Sequence, residues 1–553
     1  MRATRDHRQP PFRSTRSRVT AVAVLFAFVV ASIASLQIAG ARASTDARGA
    51  SGQRALKHST AGPHKSGKKP KPFHVPSGEE RNEDRGRRVP LGPKHGNLKP
   101  ASKPSTVRRA SRRRFTSGTG GATRASASVS FTKNTDFKAQ ARFSGSPPDM
   151  SGADGKGVVF ATGNTFGVLS TDSGSTFTTI DPTTIFPSGP SKDSSGAFLD
   201  KGLCCDQVIQ YVPKINRFIW LMQFCGSGSS CLQGLNKIRI AAASTSSVRG
   251  GWSSWTYWDL TSATFGFDGT TNPNMDYPNL AVGTNFLYMS VDRVGGTASG
   301  QLGGLLVARI PLSEIAASTT IHIDFTTPSD SGTAYGGHLT QNVGDTEYWA
   351  GHFSNSQLRV FSMKEGENVY RWRDVNISSW CNGDRSSKTP GGTNDWLAFG
   401  FPGNAVIGST LRGTEIWFAW TAGHKLSNGN GCGFDQSHVE IAVVDAGNYS
   451  KKSQMQVWNK TIAFAYADLA SNRDSEVAMS LAYGGASNEM NHAVGFWGDF
   501  IVYSTTSSTN SDNRFGDYVT IRRALDGKRF SAEGYGRTGS PAGFDPHYVL
   551  FGR

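Results

Sequence analysis

The residues best placed to do chemistry are acids that recur ahead of aromatic-rich strands: Asp206, Asp276-Tyr277, Glu347-Tyr348 and Asp517-Tyr518. Carboxylates held in pairs can cleave a glycosidic bond, one acting as general acid and the other as base or nucleophile, if the surroundings keep one protonated. Adjacent residues of a strand face opposite ways, so an acid and the tyrosine after it cannot both face the same space. The candidate catalytic set is Asp206, Asp276, Glu347 and Asp517. Tyr277, Tyr348, Trp396 and Arg514 are the candidate sugar contacts. A competing assignment gives the same acids a structural task, bonding backbone amides where each repeat begins. His338, His352, His424 and His492, all in Gly- or Asn-rich stretches, offer a base for a polysaccharide lyase, or are ordinary loop histidines. The chain has no His-Glu-x-x-His, no Gly-x-Ser-x-Gly and no phosphate loop, so metalloprotease, α/β-hydrolase and NTPase functions have no support.

The elements that must position these residues are short. From about residue 128 onward, apolar or alternating runs of four to eight residues are punctuated by Gly, Asn, Asp and Ser. Val158 to Thr162, Arg217 to Met222, Glu415 to Trp420 and His438 to Val444 are examples. Runs of this length without a long helical stripe predict an all-β fold; Pro311 to Ala317 alone hints at a helical turn. Stacking the segments on their acids (Asp206, Asp276, Glu347, Asp395, Glu476, Asp517) gives spacings of 70, 71, 48, 81 and 41 residues. Such a period suits the blades of a β-propeller, in which the first strand of each blade lines a central channel. With one more segment before Asp206, six or seven blades are expected. The aromatic group Trp252, Trp255, Tyr257 and Trp258 is assigned to core packing between them.

That additional segment carries Ser170-Thr-Asp172-Ser-Gly174-Ser-Thr176-Phe177. Asp bonds its own backbone, Gly takes positive φ and the aromatic closes the turn, so this is a hairpin with a packed cap. It resembles an Asp box, with Phe177 where a Trp is usual. Together with Pro147-Pro148-Asp149, Asp276-Tyr277-Pro278 and Gly516-Asp517-Tyr518, it is similar to the landmarks of secreted bacterial proteins of the sialidase-like propeller superfamily. The resemblance implies the fold and makes Ser170, Asp172, Gly174, Thr176 and Phe177 structural. True sialidases also carry an arginine triad, a Tyr nucleophile paired with Glu and a Phe/Tyr-Arg-Ile-Pro motif. Here Arg309-Ile310-Pro311 follows the turn and is preceded by Ala308, so it reads as a strand end.

Residues 1–129 hold 27 Lys and Arg against 6 Asp and Glu, whereas the remaining 424 residues hold 32 against 36. The overall charge of +17 is thus a property of the N-terminal segment, which disfavours a nucleic-acid-binding body. An Arg-rich start, the apolar run Ala21 to Ile38 and Ala41-Arg42-Ala43 read as a signal peptide over residues 1–43, with an uncleaved anchor as the alternative. Residues 44–128, rich in Lys, Arg, Pro, Ser and Gly, are expected to form a disordered linker: a solubilising spacer, or a tether to an anionic cell wall. Residues 129–553 are the expected propeller domain. Six cysteines suit an oxidising compartment. Cys225 and Cys231 are plausible partners, Cys381 and Cys432 could join, and a bond between neighbouring Cys204 and Cys205 would be strained. No zinc spacing and no recognised calcium loop is present, so no metal or cofactor is implied. The expectation is a monomeric, extracellular β-propeller that binds glycans, the alternatives being a glycan-cleaving enzyme and a protein-binding propeller.

Overall fold

The computed structural model describes residues 51–72, 114–115, 129–137 and 147–553, except 230, 252–253, 268–273, 295–301, 384, 393–394, 398–403, 426–432, 498, 503–514 and 539–542. The expected signal peptide, Trp252, Arg514 and Cys432 lie outside the described residues.

Among the described residues, seven antiparallel sheets of four or five strands and one two-stranded ribbon form. The first strands of the seven blades are Ser151–Gly155, Leu203–Val212, Asn274–Val282, Thr346–Ser354, Gly408–Arg412, Ala463–Ser471 and Thr520–Arg523, for blades 1 to 7 in order. First strands of neighbouring blades pack against one another around the ring, as in blades 1 and 2, 2 and 3, 5 and 6, and 6 and 7. The fold is therefore a seven-bladed β-propeller, the larger of the two expected counts. Leu203–Val212 is buried at every position because neighbouring blades cover both of its faces, so it lacks the polar alternation of a half-exposed strand. Pro311 caps a short helix, Leu312–Ala317, as expected, and Arg309 ends a strand, paired to Asp324.

Blade 4 departs from the repeat. Its innermost position is taken by residues 338–343, where Gln341 bridges in parallel to Thr410 of blade 5 and Thr340 N–H donates to the Tyr348 carbonyl at 3.0 Å. Thr346–Ser354 is thereby displaced one strand outward.

The ring closes without a covalent seam. Ser130–Asp136 pairs antiparallel with Gly543–Gly552, so the start of the domain supplies the last strand of blade 7. The turn at Ser170–Phe177 joins Gly167–Ser170 to Thr178–Ile180 in blade 1, as its residues require. Asp172 Oδ1 accepts the Ser175 and Thr176 amides at 3.0 and 2.9 Å, and Thr176 Oγ1 donates to Oδ2 at 2.7 Å. Gly174 has φ 82° and lies so close to the Tyr548 ring that a Cβ there would fall 2.3 Å from it. Lys133 and Thr135 of the closing strand donate to Ser175 Oγ and to the Gly174 carbonyl, so the turn also secures the seam between blades 1 and 7.

Within the expected linker, the described residues 51–72 carry three short strands. Ser51–Ala55, Lys57–Ala61 and His64–Ser66 add edge strands to blades 4, 3 and 2. Their side chains are mostly exposed. An edge strand offers unpaired amides and carbonyls that any extended backbone can pair with, so apolar composition is not needed for order here.

Aromatic side chains fill the seams between blades. Trp220 and Trp255 meet Phe160 and Phe186 between blades 1 and 2, while Trp258 is fully buried between blades 2 and 3, which bears out the core assignment of Trp255 and Trp258. Cys204 bonds Cys205 and Cys225 bonds Cys231; Cys381 is also disulfide-bonded. Among the described residues, no helix is long and apolar enough to cross a membrane.

Candidate functional site

The inner strands of blades 2 and 3 share a device. Each is interrupted by a register shift, between Cys205 and Gln207 and between Asp276 and Asn279. Tyr277 adopts φ 54°, and the equivalent break in blade 6 sets Tyr466 at φ 55°. A non-glycine residue in the left-handed region costs about 1–3 kcal/mol and persists where packing over-determines it. Here the strain turns Tyr277 into the interior, where its ring stacks on His338 at 4.9 Å and meets Tyr518 edge-on at 5.8 Å.

Carboxylates gather around this phenol. Tyr277 Oη donates to the Asp517 carbonyl oxygen at 3.1 Å. Burial pushes the Tyr277 hydroxyl well above its usual pKa, and Asp517, Asp149, Asp206 and Asp292 push it the same way. Asp149 Oδ1 accepts the Asp517 amide at 2.7 Å and the Tyr535 hydroxyl at 3.2 Å, and its Oδ2 accepts from Asn164 at 2.9 Å. Both oxygens of Asp292 face the Gly336 amide. Gln223 Nε2 donates to Asp276 at 2.9 Å. Asp149, Asp276 and Asp292 thus hold the local frame. Asp206 and Asp517 are each 6 % exposed.

His338 is neutral at physiological pH. Burial lowers its pKa to about 3, and Arg522 acts in the same direction against a hydrogen bond to the Ile407 backbone. Its Nε2 is buried with no hydrogen-bond partner among the described residues. Behind it, Phe515 stacks on Tyr535 at 4.4 Å, and Trp396 packs on Phe515 at 5.9 Å.

Of the candidate catalytic acids, Asp206, Asp276 and Asp517 belong to this end of the axis. Glu347 does not. It is fully buried on the displaced strand of blade 4, where its Oε1 accepts the Thr340 amide at 2.7 Å. Its residue frame is right and its blade is irregular, so it serves the structural role that the competing assignment described. Burial holds its pKa well above the usual range. Tyr348 packs in the core between blades 4 and 5, and Trp396 backs the site from a fully buried position. Asp395 and Glu476 also fall outside the inner strands, in the loop before blade 5 and ahead of the second strand of blade 6. Asp292 and Tyr535 were missed because both lie on second strands, where the acid-first repeat does not look. His338, by sequence a candidate lyase base or a loop histidine, is buried against Tyr277.

Two clusters bring metal-type ligand atoms within 4.8 Å of one another. Cys204, Cys225 and Cys231 have their sulfurs in disulfides, so they hold no metal. Asp136, Asp545 and His547 sit at the closing seam of blade 7 and have oxygen and nitrogen donors suited to a divalent cation.

No family model matches the chain, and no curated protein matches it by sequence. Solved structures similar to it include Trypanosoma rangeli sialidase, at 8 % identity and TM-score 0.35 over 66 % of this chain and 57 % of that one. A Dyadobacter fermentans protein of unknown function has 10 % identity and TM-score 0.36, covering 63 % of this chain and 98 % of its own. AofleA from Arthrobotrys oligospora has 10 % identity and TM-score 0.32, covering 62 % and 81 %. The chain thus spans a little over half the length of the sialidase that it resembles.

Proposed function

We propose that the protein is an extracellular glycan-binding β-propeller that holds a neutral sugar at the Asp206–Asp276–Asp517 end of its axis. The observation that carries this reading is the convergence of carboxylates on the buried Tyr277 beside neutral His338. Carboxylate oxygens accept from sugar hydroxyls, and aromatic rings stack on their apolar faces. A negative field at this end disfavours an acidic sugar. The Tyr277 hydroxyl, with its pKa raised, is a poor nucleophile, which argues against sialidase chemistry. Paired cysteines and the N-terminal apolar run support export.

The test incubates the purified protein with a panel of neutral and acidic polysaccharides, reading binding, new reducing ends and unsaturated-uronate absorbance together. Binding to neutral glycans without products, weakened about tenfold by Asp206→Asn or Asp517→Asn, is the expected result. New chain ends abolished by the same substitutions would replace it with a glycoside hydrolase. Capture of a protein partner with no glycan affinity would reject both.

A further inference from the structure

The far ends of the inner strands carry a second, differently charged site. Asp206 and Gln210 lie on one strand four residues apart, which at the rise of an extended chain is about 13 Å. Gln210 and Gln341 both donate to the Leu280 carbonyl, at 3.1 and 2.8 Å, and Gln210 also donates to Gln341 Oε1 at 2.8 Å, so paired amides separate this end from the acidic one. Beyond them lies a cavity of about 290 Å³ lined by Arg473, Arg522 and Arg523 together with Asp154 and the apolar Val282 and Leu525. That volume is near the small end of the range for ligand pockets, about 300–1,000 Å³.

Arg522 is ion-paired to Asp468, whereas Arg473 and Arg523 have no carboxylate partner among the described residues. Arg522 is 7 % exposed; its Nη1 reaches Asp468 at 3.3 Å and the Ile521 carbonyl at 2.9 Å, while Nε and Nη2 are buried with no hydrogen-bond partner. Those two atoms are closed off by packing, so Arg522 backs the cavity through its charge and not through that edge. Arg523 donates to the Ser471 carbonyl at 2.6 Å and to its hydroxyl, with no carboxylate partner among the described residues. Arg473 is exposed at the mouth, and its side chain has no ion-pair or hydrogen-bond partner among the described residues. Burial lowers the Arg523 pKa, and the charge of Arg473 beside it acts the same way. A bound oxyanion would supply the counter-charge that Arg473 and Arg523 lack.

We propose that this axial cavity is a binding site for a small oxyanion, a carboxylate or phosphate group, held by Arg473 and Arg523 at the mouth and backed by the charge of Arg522 at the floor. The site lies away from the acidic end and does not depend on the glycan reading of that end.

Titration calorimetry of the full chain with inorganic phosphate and, separately, with free galacturonate tests it, at fixed ionic strength. Saturable binding of at least one probe is expected, weakened about tenfold by Arg473→Gln, whose exposed side chain can be replaced without disturbing the fold. Arg523→Gln should weaken it similarly, and Asp206→Asn should leave it unchanged. Phosphate binding alone would assign the source to phosphate, and galacturonate binding alone to a sugar acid. Absence of saturable binding by both probes, or binding indifferent to Arg473→Gln and Arg523→Gln in variants with unaltered melting curves, would overturn the proposal.

Discussion

At the scale of single residues, the site rests on one strained tyrosine. The Tyr277 phenol donates to the Asp517 carbonyl while its ring lies on His338, so Tyr277→Phe separates the two contributions. The phenylalanine keeps the stacking and leaves a carbonyl short of a donor, so a stability loss of about 1 kcal/mol is expected in denaturant melts, with weaker glycan binding in the same samples. Glu347→Gln should leave glycan binding unchanged, because Glu347 serves backbone amides of blade 4, those of Thr340 and Tyr348. The residues that were legible beforehand, Asp206, Asp276, Tyr277 and Asp517, sit where an acid precedes an apolar strand. Asp292 and Tyr535 were not legible, since a second strand carries no mark that its side chains reach the axis. His338 shows the same limit from the other side: a histidine among glycines has no pattern that distinguishes burial from exposure.

At the scale of elements, turn chemistry was the most legible feature and edge pairing the least. The Ser170–Phe177 turn is set by local bonds, so its residues alone indicate it. Asp172→Ala removes four acceptor contacts and is expected to cost about 1–2 kcal/mol in thermal or denaturant melts while glycan binding is preserved. Gly174→Ala should cost more, through both positive φ and the Tyr548 ring. The edge strands at Ser51–Ser66 were unreadable for a physical reason: backbone pairing to blades 4, 3 and 2 leaves no signature in side-chain type. Blade 4 hid its innermost segment similarly, because residues 338–343 hold that position through parallel bonding to blade 5 without the length of an ordinary strand. A chain beginning at residue 67 is expected to fold and bind with a lowered melting temperature. One beginning at residue 138 loses the strand that closes blade 7 and should not give a cooperative melt, which circular dichroism would read.

At the scale of the whole molecule, burying titratable groups along the axis makes stability depend on pH in two opposite ways. His338, His352 and His492 are each lowered to about 3 by burial, so their contribution is lost as pH falls from the ordinary histidine value near 6.5. Glu533 is raised to about 8, first by burial and against the pull of Arg522, and Glu347 is raised well above 4.5 by burial. Between its unfolded value of 4.5 and about 8, folded Glu533 keeps a proton that the unfolded chain has released, so stability falls as pH rises through that window. Each such group contributes a slope of about 1.4 kcal/mol per pH unit at most. Asp154 and Asp468, both raised to about 6, act the same way mostly below pH 6.5. The unfolded-state histidines, half protonated at 6.5, still add stability above it, but equally in parent and variants. The difference between parent and variant from pH 6.5 to 8 therefore isolates the buried glutamates. Glu533→Gln mimics the protonated acid that the Thr520 hydroxyl and the close Gly152 backbone already accommodate. Melting temperatures of the parent chain should decline from pH 6.5 to 8, and the variant should decline less, with Glu347→Gln removing a further share. An equal decline in parent and both variants would show that Glu533 and Glu347 ionise in the folded state as they do in the unfolded chain, and that the propeller axis is better hydrated than its packing implies.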